Sequence, residues 1–293
     1  MKALSKSIET VDPDRVNWLR NLPFLGVHVA CLLVFWTDVT PVAVLVGAVT
    51  LFTRMFGLTA GYHRYFCHRT FKTTRLFQFA LAWLGAASAQ RGPLWWAGHH
   101  RLHHRHADTE EDVHPPGVKG FFWAHAGWLM SVRNAPTRFE WVPDFAQYRE
   151  LRWLDANHYV APLSVVLALF GLGEWLSVTY PALETNGLQL VVIGFFCSTT
   201  ALYHITFAVN SFGHLVGRRR YATNDGSRNS FWLALLTAGE GWHNNHHRYP
   251  RSERQGFFWW EIDVTHYGVV ILSWCRLVWD IRGPAPSILQ EPS

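Results

Sequence analysis

The amino-acid sequence predicts an all-α integral membrane protein. Four transmembrane helices form two hairpins, and a helical cap on the cytoplasmic side holds a histidine-rich site for two metal ions. Three observations lead there. Of the 293 residues, 49% are hydrophobic and sixteen are tryptophan, a residue enriched where protein meets the membrane–water boundary. The 26 Lys and Arg residues are segregated: none falls between Asn21 and Thr53, and none between Trp153 and Gly217. Seventeen histidines concentrate in a few short motifs instead of scattering.

Each window without basic residues reads as a helical hairpin. The first holds LPFLGVHVACLLVFW (22–36), a break at TDVTP and VAVLVGAVTLFTRMFGL (42–58); the second holds YVAPLSVVLALFGLGEWLSV (159–178), a turn and LQLVVIGFFCSTTALYHITFAV (188–209). A span needs about 20 mostly apolar residues, so the predicted spans cover 22–37, 41–62, 159–178 and 188–210. Basic residues stay on the cytoplasmic side. That rule sends both hairpin turns outward and leaves 63–157 and 211–293 as a cytoplasmic cap, with a bacterial inner membrane as the expected location. LFQFALAWLGAASAQRGPLWWAG (76–98) is also long enough to cross, but crossing would export the basic segment after it. It is read as a helix lying in the interface or packed under the site. The first 21 residues are polar and lack a cleavage site, so the first span is expected to act as an uncleaved signal anchor. Four cysteines without CxxC spacing predict reduced thiols. The chain 1–293 is expected to be one domain. The formal charge is +5 and all 26 basic residues lie outside the two windows, which points to membrane lipid and excludes nucleic acid as the partner.

The histidine spacing carries chemistry. His100, His103 and His104 stand at i, i+3, i+4, and so do His243, His246 and His247; on a helix each set shares a face and is expected to aim at one region. Asn210 and His214 share a face at i, i+4. His63 and His68 are five apart, about 140° around a straight helix, so they require a distortion at the helix end. Nine imidazoles and one amide are too many for a single ion; they suit two ions of higher coordination number, and a nitrogen-rich pair beside a membrane suits oxygen activation by iron. A ligating histidine usually donates its other N–H to a carboxylate. Asp108 and Glu240 are the favoured partners, with Asp112 and Asp225 also near. His28 and His204 are expected to be hydrogen-bonded residues within spans. His99, His106, His114, His125, His158 and His266 are expected outside the ligand set.

With these motifs the sequence resembles the membrane fatty acyl desaturases, in particular the stearoyl-CoA desaturase-like, Δ9 branch. The resemblance rests on GYHRYFCHRTFK, on HHRLHHRHADTEEDVH followed by GFFWAHAGWL, and on GEGWHNNHH followed by YP. It implies four spans, a cytoplasmic cap and a di-iron centre held by His63, His68, His100, His103, His104, His214, His243, His246 and His247, with Asn210 acting through water. It also implies that O2 is reduced to water while two hydrogens leave adjacent methylenes of a saturated acyl chain, giving a cis double bond. An apolar tunnel would hold the chain. Trp96, Trp123, Trp128 and Trp242 are candidates for its wall. Gly57 is expected to leave it deep enough for C16–C18 chains, so that Gly57→Phe would shift the product profile.

Animal acyl-CoA enzymes of the family carry an Arg-Asp pair where this chain has Gly98 and His99, while Lys119 matches a basic headgroup position. The acyl carrier therefore stays open among CoA, a lipid and a carrier protein. Electrons are expected from a separate ferredoxin, b-type cytochrome or reductase, which Arg218, Arg219 and Arg220 are placed to dock. A hydroxylase or acetylenase would use the same site. A membrane metal transporter or receptor would instead string histidines along its spans.

Overall fold

The computed structural model describes residues 12–291; the polar lead over residues 1–11 lies outside them. The order of helices follows the sequence. Leu22–Trp36 (α1) comes first, then Pro41–Cys67 (α2), Arg75–Ala86 (α3), Pro93–His106 (α4), Arg149–Ala156 (α5), Val160–Thr179 (α6), Gly187–Leu215 (α7), His243–Arg248 (α8) and Val264–Trp274 (α9). A two-stranded antiparallel ribbon pairs Lys72 with Trp279 and Thr73 with Val278, pinning the C-terminal segment to the chain just after α2.

Three helices are long and apolar enough to cross a membrane: α2 with 27 residues, α6 with 20 and α7 with 29. At 1.5 Å per residue, α2 and α7 are about 40 Å long, about 10 Å more than a hydrocarbon core. They run past the expected ends at 62 and 210, to Cys67 and Leu215, and the overhang carries their last turns to the histidine motifs. The α1 run is shorter. It is α-helical to Ala30 and tightens into a 3₁₀ turn over Cys31–Trp36, giving about 25 Å.

The outward faces are apolar, as lipid requires. Leu45, Val49 and Phe52 on α2, and Leu163, Leu167 and Phe170 on α6, are exposed at i, i+4, i+7. The buried faces are small or hydrogen-bonded. At Gly173, a Cβ would lie 2.4 Å from the Asn186 carbonyl, so the α6–α7 hairpin closes through backbone contact. Arg54, inside α2, is 2% exposed. Its guanidinium donates to the hydroxyls of Thr199 (2.6 Å) and Ser198 (2.5 Å) on α7. Such internal pairing makes a charge tolerable at membrane depth.

The stretch 76–98 is not one continuous helix. It divides into α3 and α4 around a bend at 87–92, where Ala89 and Arg91 take positive φ. The α3 helix packs under the site against the end of α2. A Cβ on Gly57 would lie 2.6 Å from the Leu84 carbonyl carbon and 2.8 Å from the Gly85 nitrogen. This corrects the tunnel role expected of Gly57: its missing side chain lets two backbones touch, and backbone cannot move aside as a side chain can. Gly57→Phe is therefore expected to lower the thermal midpoint of the detergent-solubilised protein by roughly 3–10 °C and to reduce total product without changing its chain-length profile. A retained midpoint with a shifted profile would restore the tunnel reading.

Candidate metal centre

Four chain segments bring the histidines together. The last eleven residues of α2, Gly57–Cys67, form a π-helix. In its i→i+5 ladder, residues five apart lie nearly above one another. This is the distortion the His63–His68 spacing required, and their ring centroids are 4.9 Å apart. Helix α4 carries His100, His103 and His104. Its N-terminus is fixed by Asp155, which accepts from the backbone N–H of Leu94 (2.9 Å) and Trp95 (2.8 Å). Arg101 on α4 donates to the carbonyls of Phe66 (2.7 Å) and Cys67 (3.0 Å) and to Asp144 (2.7 Å). The end of α2 is thereby locked to the helix beside it. Helix α7 supplies Asn210 and His214, and the six-residue α8 supplies His243, His246 and His247. So short a helix is not stable alone. The Asn pair in HNNHH bolts it down: Asn244 Oδ1 accepts from the N–H of Arg220 and Tyr221, Asn245 Nδ2 donates to Glu261, and Asn229 Oδ1 accepts from both Asn244 and Asn245 N–H.

The nine imidazoles fall into two groups. His63, His68, His100, His104 and His246 place one ligand atom each within 4.8 Å of one another, and His103, His214, His243 and His247 do the same. All nine present Nε2. Neighbouring Nε2 atoms are 2.8 to 3.4 Å apart, as in His246–His104 and His103–His247. Two nitrogens bound about 2.1 Å from one ion at right angles lie about 3.0 Å apart, so each group has the dimensions of a metal's coordination sphere. Each HxxHH box divides its histidines, contrary to the expectation that it aims at one region. The i, i+4 pair His100 and His104 joins the first group while His103 joins the second. His243 and His247 join the second while His246 joins the first.

Carboxylates set the ring orientations. Nδ1 of His63 donates to Glu240, that of His214 to Asp108 (2.8 Å), that of His103 to Asp112 (2.9 Å) and that of His247 to Asp225 (2.9 Å). A proton held on Nδ1 leaves the Nε2 lone pair free for a metal. Burial holds His68, His100, His104, His243, His246 and His247 well below the ordinary histidine range, and their neighbouring histidines push the same way. For His103, burial acts downward but Asp112 raises it overall. Burial alone would raise Glu240; His63 and Arg64 bring it down to about 2. Six of the nine imidazoles are thus held neutral beside ionised carboxylates, the protonation state that metal binding needs.

One support was not foreseen. Arg64, 1% exposed, donates to Glu240 (3.0 Å), Glu253 (3.0 Å) and Asp263 (2.8 Å). It ties the end of α2 to the C-terminal segment and orients the carboxylate that holds His63. Its position beside His63 in HRYFCH was the only available signal. His99 and His114 lie close to the centre but outside both groups. His99 is buried and donates from Nδ1 to the Trp95 carbonyl (2.8 Å), and His114 sits against His103 and Asp112. His28 of α1 and His204 of α7 do meet, with their Nε2 atoms 3.2 Å apart.

Of the tunnel residues, Trp96 lines an apolar cavity of about 50 Å³ together with Leu58, Thr59, Val209, Asn210 and the histidines His100, His103 and His243. It stacks on His100 with centroids 5.1 Å apart. Trp123 does not line this cavity: it packs beside Trp95, Val113 and Trp128 and donates to the Val113 carbonyl (3.0 Å). Trp242 donates to the Ile262 carbonyl (2.8 Å). Lys119 is paired with Asp14 and lies 4.4 Å from the Trp123 ring centroid, which leaves no free charge for a headgroup. Gly98 and His99 are interior; a Cβ on Gly98 would lie 2.9 Å from the Arg138 carbonyl oxygen.

Residues 40–268 match the family model described as fatty acid desaturase. An sn-1 stearoyl-lipid 9-desaturase of Anabaena variabilis is 34% identical, covering 94% of this chain and 97% of its own. An sn-2 palmitoyl-lipid 9-desaturase of Nostoc sp. (strain 36) is 35% identical, with coverage of 92% and 93%. An acyl-CoA C20 Δ5-desaturase of Anemone leveillei is 33% identical, with coverage of 92% and 86%. The chain belongs to the fatty acid desaturase family.

Removing a carboxylate behind a ligand typically weakens metal affinity 10–100-fold. Glu240→Gln and Asp112→Asn are each expected to cut iron retention on dialysis about tenfold or more, read by metal analysis of the folded protein. Unchanged retention in both would show that these carboxylates do not set the ligands.

Proposed function

We propose that this desaturase introduces a cis Δ9 double bond into saturated C16–C18 acyl chains, at a di-iron centre and with electrons from a separate protein. What carries the reading is the pair of histidine groups opening onto an apolar cavity. A mainly apolar cavity beside the histidines suits an alkyl chain. The names of the cyanobacterial relatives support position 9 and a stearoyl or palmitoyl chain.

His63, His68, His100, His104 and His246 would hold one iron. His103, His214, His243 and His247 would hold the other, with Asn210 completing its sphere through water. The chemistry that such a pair supplies when bound is reductive activation of O2, the step needed to break an unactivated C–H bond. The balance is one CH2–CH2 unit, O2, two electrons and two protons giving one CH=CH unit and two waters. The protein's share is position and dryness. Leu58, Thr59, Thr206 and Val209 hold the chain beside the histidines, and the stacked Trp96–His100 pair keeps water from one wall.

Four spans, with residues 63–157 and 211–293 as a cytoplasmic cap within one domain, fit the charge segregation. Arg218 and Arg219 are exposed and are suited to an acidic electron donor such as a ferredoxin, a b-type cytochrome or a reductase. Arg220 is spent on Glu261.

The test is gas chromatography–mass spectrometry of total fatty acids from a desaturase-deficient host expressing the chain, beside a His103→Ala control. A Δ9 monounsaturated acid absent from the control is expected. A hydroxy acid or an alkyne would replace the product assignment. No new product despite a supplied donor and bound iron would contradict desaturation.

A further inference from the structure

The cavity at the histidines is one end of a series. It shares Trp96, His100, Thr206 and Asn210 with a second cavity, and the second shares Gln90, Leu129 and Phe207 with a third, a groove of about 410 Å³. That groove is walled by Phe24 and Val27 of α1, Pro162 and Leu163 of α6, and Tyr203 and Phe207 of α7. Its walls are three of the helices that face lipid. At its outer end it shares Arg20, Arg91 and His158 with a polar pocket of about 360 Å³ that also contains Arg152.

Three guanidiniums thus meet where an apolar groove ends. Among the described residues no carboxylate pairs with them. Arg20 donates to the Ala135 carbonyl (3.1 Å), and Arg91 makes long contacts to the carbonyls of Ala135 (3.4 Å) and Leu129 (3.3 Å). The pocket's carboxylate, Asp155, is occupied by two backbone N–H groups of α4 and by the Thr137 hydroxyl. Burial and the nearby Arg20 push Arg91 down to about 10, against the opposing pull of Asp155, so it is charged at neutral pH and makes no direct ion pair. Trp18, Trp153 and Tyr159 stand 62%, 49% and 59% exposed around the same end of the spans, as aromatic anchors do at the level of lipid headgroups.

We propose that Arg20, Arg91 and Arg152 bind the phosphate of an anionic glycerophospholipid, whose acyl chain lies in the groove and reaches the histidines from the side of the membrane. This rests on the desaturase reading and names the carrier. Arginine suits a phosphate diester through paired N–H donors, and the groove joins it to the chain without passing through water. The positions expected to hold a CoA headgroup are interior at Gly98 and His99 and neutralised at Lys119.

The experiment reads binding without turnover. The full-length, iron-loaded protein in detergent is titrated with palmitoyl-oleoyl phosphatidylglycerol, monogalactosyldiacylglycerol or stearoyl-CoA, and bound lipid is counted by native mass spectrometry. The phosphoglyceride is expected to bind about tenfold or more tighter than the galactolipid, as charge-assisted pairs to two or three arginines imply. The Arg91→Gln/Arg152→Gln protein should lose that preference and keep its galactolipid binding. Arg152 is exposed, so Arg152→Gln alone, with at least a threefold loss, serves if the double variant does not fold. Equal binding of the two glycerolipids would overturn the proposal. So would displacement of the phosphoglyceride by stoichiometric stearoyl-CoA, which would give the arginines to the CoA phosphates. Product in the host without phosphatidylglycerol preference would retire the site and keep the desaturase. The preference without any unsaturated product would do the reverse.

Discussion

Nine imidazole nitrogens must point inward, unprotonated, across a space only a few ångströms wide. Water would solvate those lone pairs and protons would cap them, so the cluster exists only if it is buried and if enough rings are fixed through their other nitrogen. That requirement explains the carboxylates Glu240, Asp108, Asp112 and Asp225 at four Nδ1 atoms. It also explains Arg64, since a buried carboxylate such as Glu240 needs its own partner. Removing Arg64 would leave three carboxylates crowded together without a cation and release the end of α2 from the C-terminal segment.

The membrane solves the second part of the problem. Helices α2 and α7 outrun the hydrocarbon thickness, so a single rigid element reaches from lipid to the site at each end of the cluster. The π-helix at the end of α2 turns both His63 and His68 toward the first group. Helices α4 and α8 close over them, each anchored at its start by side chains that accept backbone N–H bonds. The same packing leaves the chain of cavities running from the histidines to a groove between α1, α6 and α7. Chemistry and substrate path are thus set by one arrangement of helices.

Much of this is legible in the sequence because helical spacing is a local property. HxxHH twice, NSFGH and HRYFCH name the nine histidines and Asn210 without any tertiary knowledge. Asp108 and Glu240 follow from proximity, and both do meet ligand candidates. What local spacing does not contain is where helices sit relative to one another. The division of each box between two groups depends on α4 and α8 crossing the gap between them. Gly57 illustrates the same limit. A small residue in a span reads equally as open space or as a backbone contact, and Leu84 on another helix decides. Trp123 and Trp242 adjoin the motifs in sequence but do not line the cavity. Arg54 and Arg64 show no local sign of their partners, which come from residues more than a hundred positions away.

The central claim is that the two groups are two separate iron sites. Iron analysis of the purified full-length chain, beside His246→Ala from the five-membered group and His243→Ala from the four-membered group, tests it most directly. The account predicts about two irons per chain in the wild type, and about one in each variant, because the ligands belong to different coordination spheres. One iron in the wild type, or two fully retained in both variants, would contradict it.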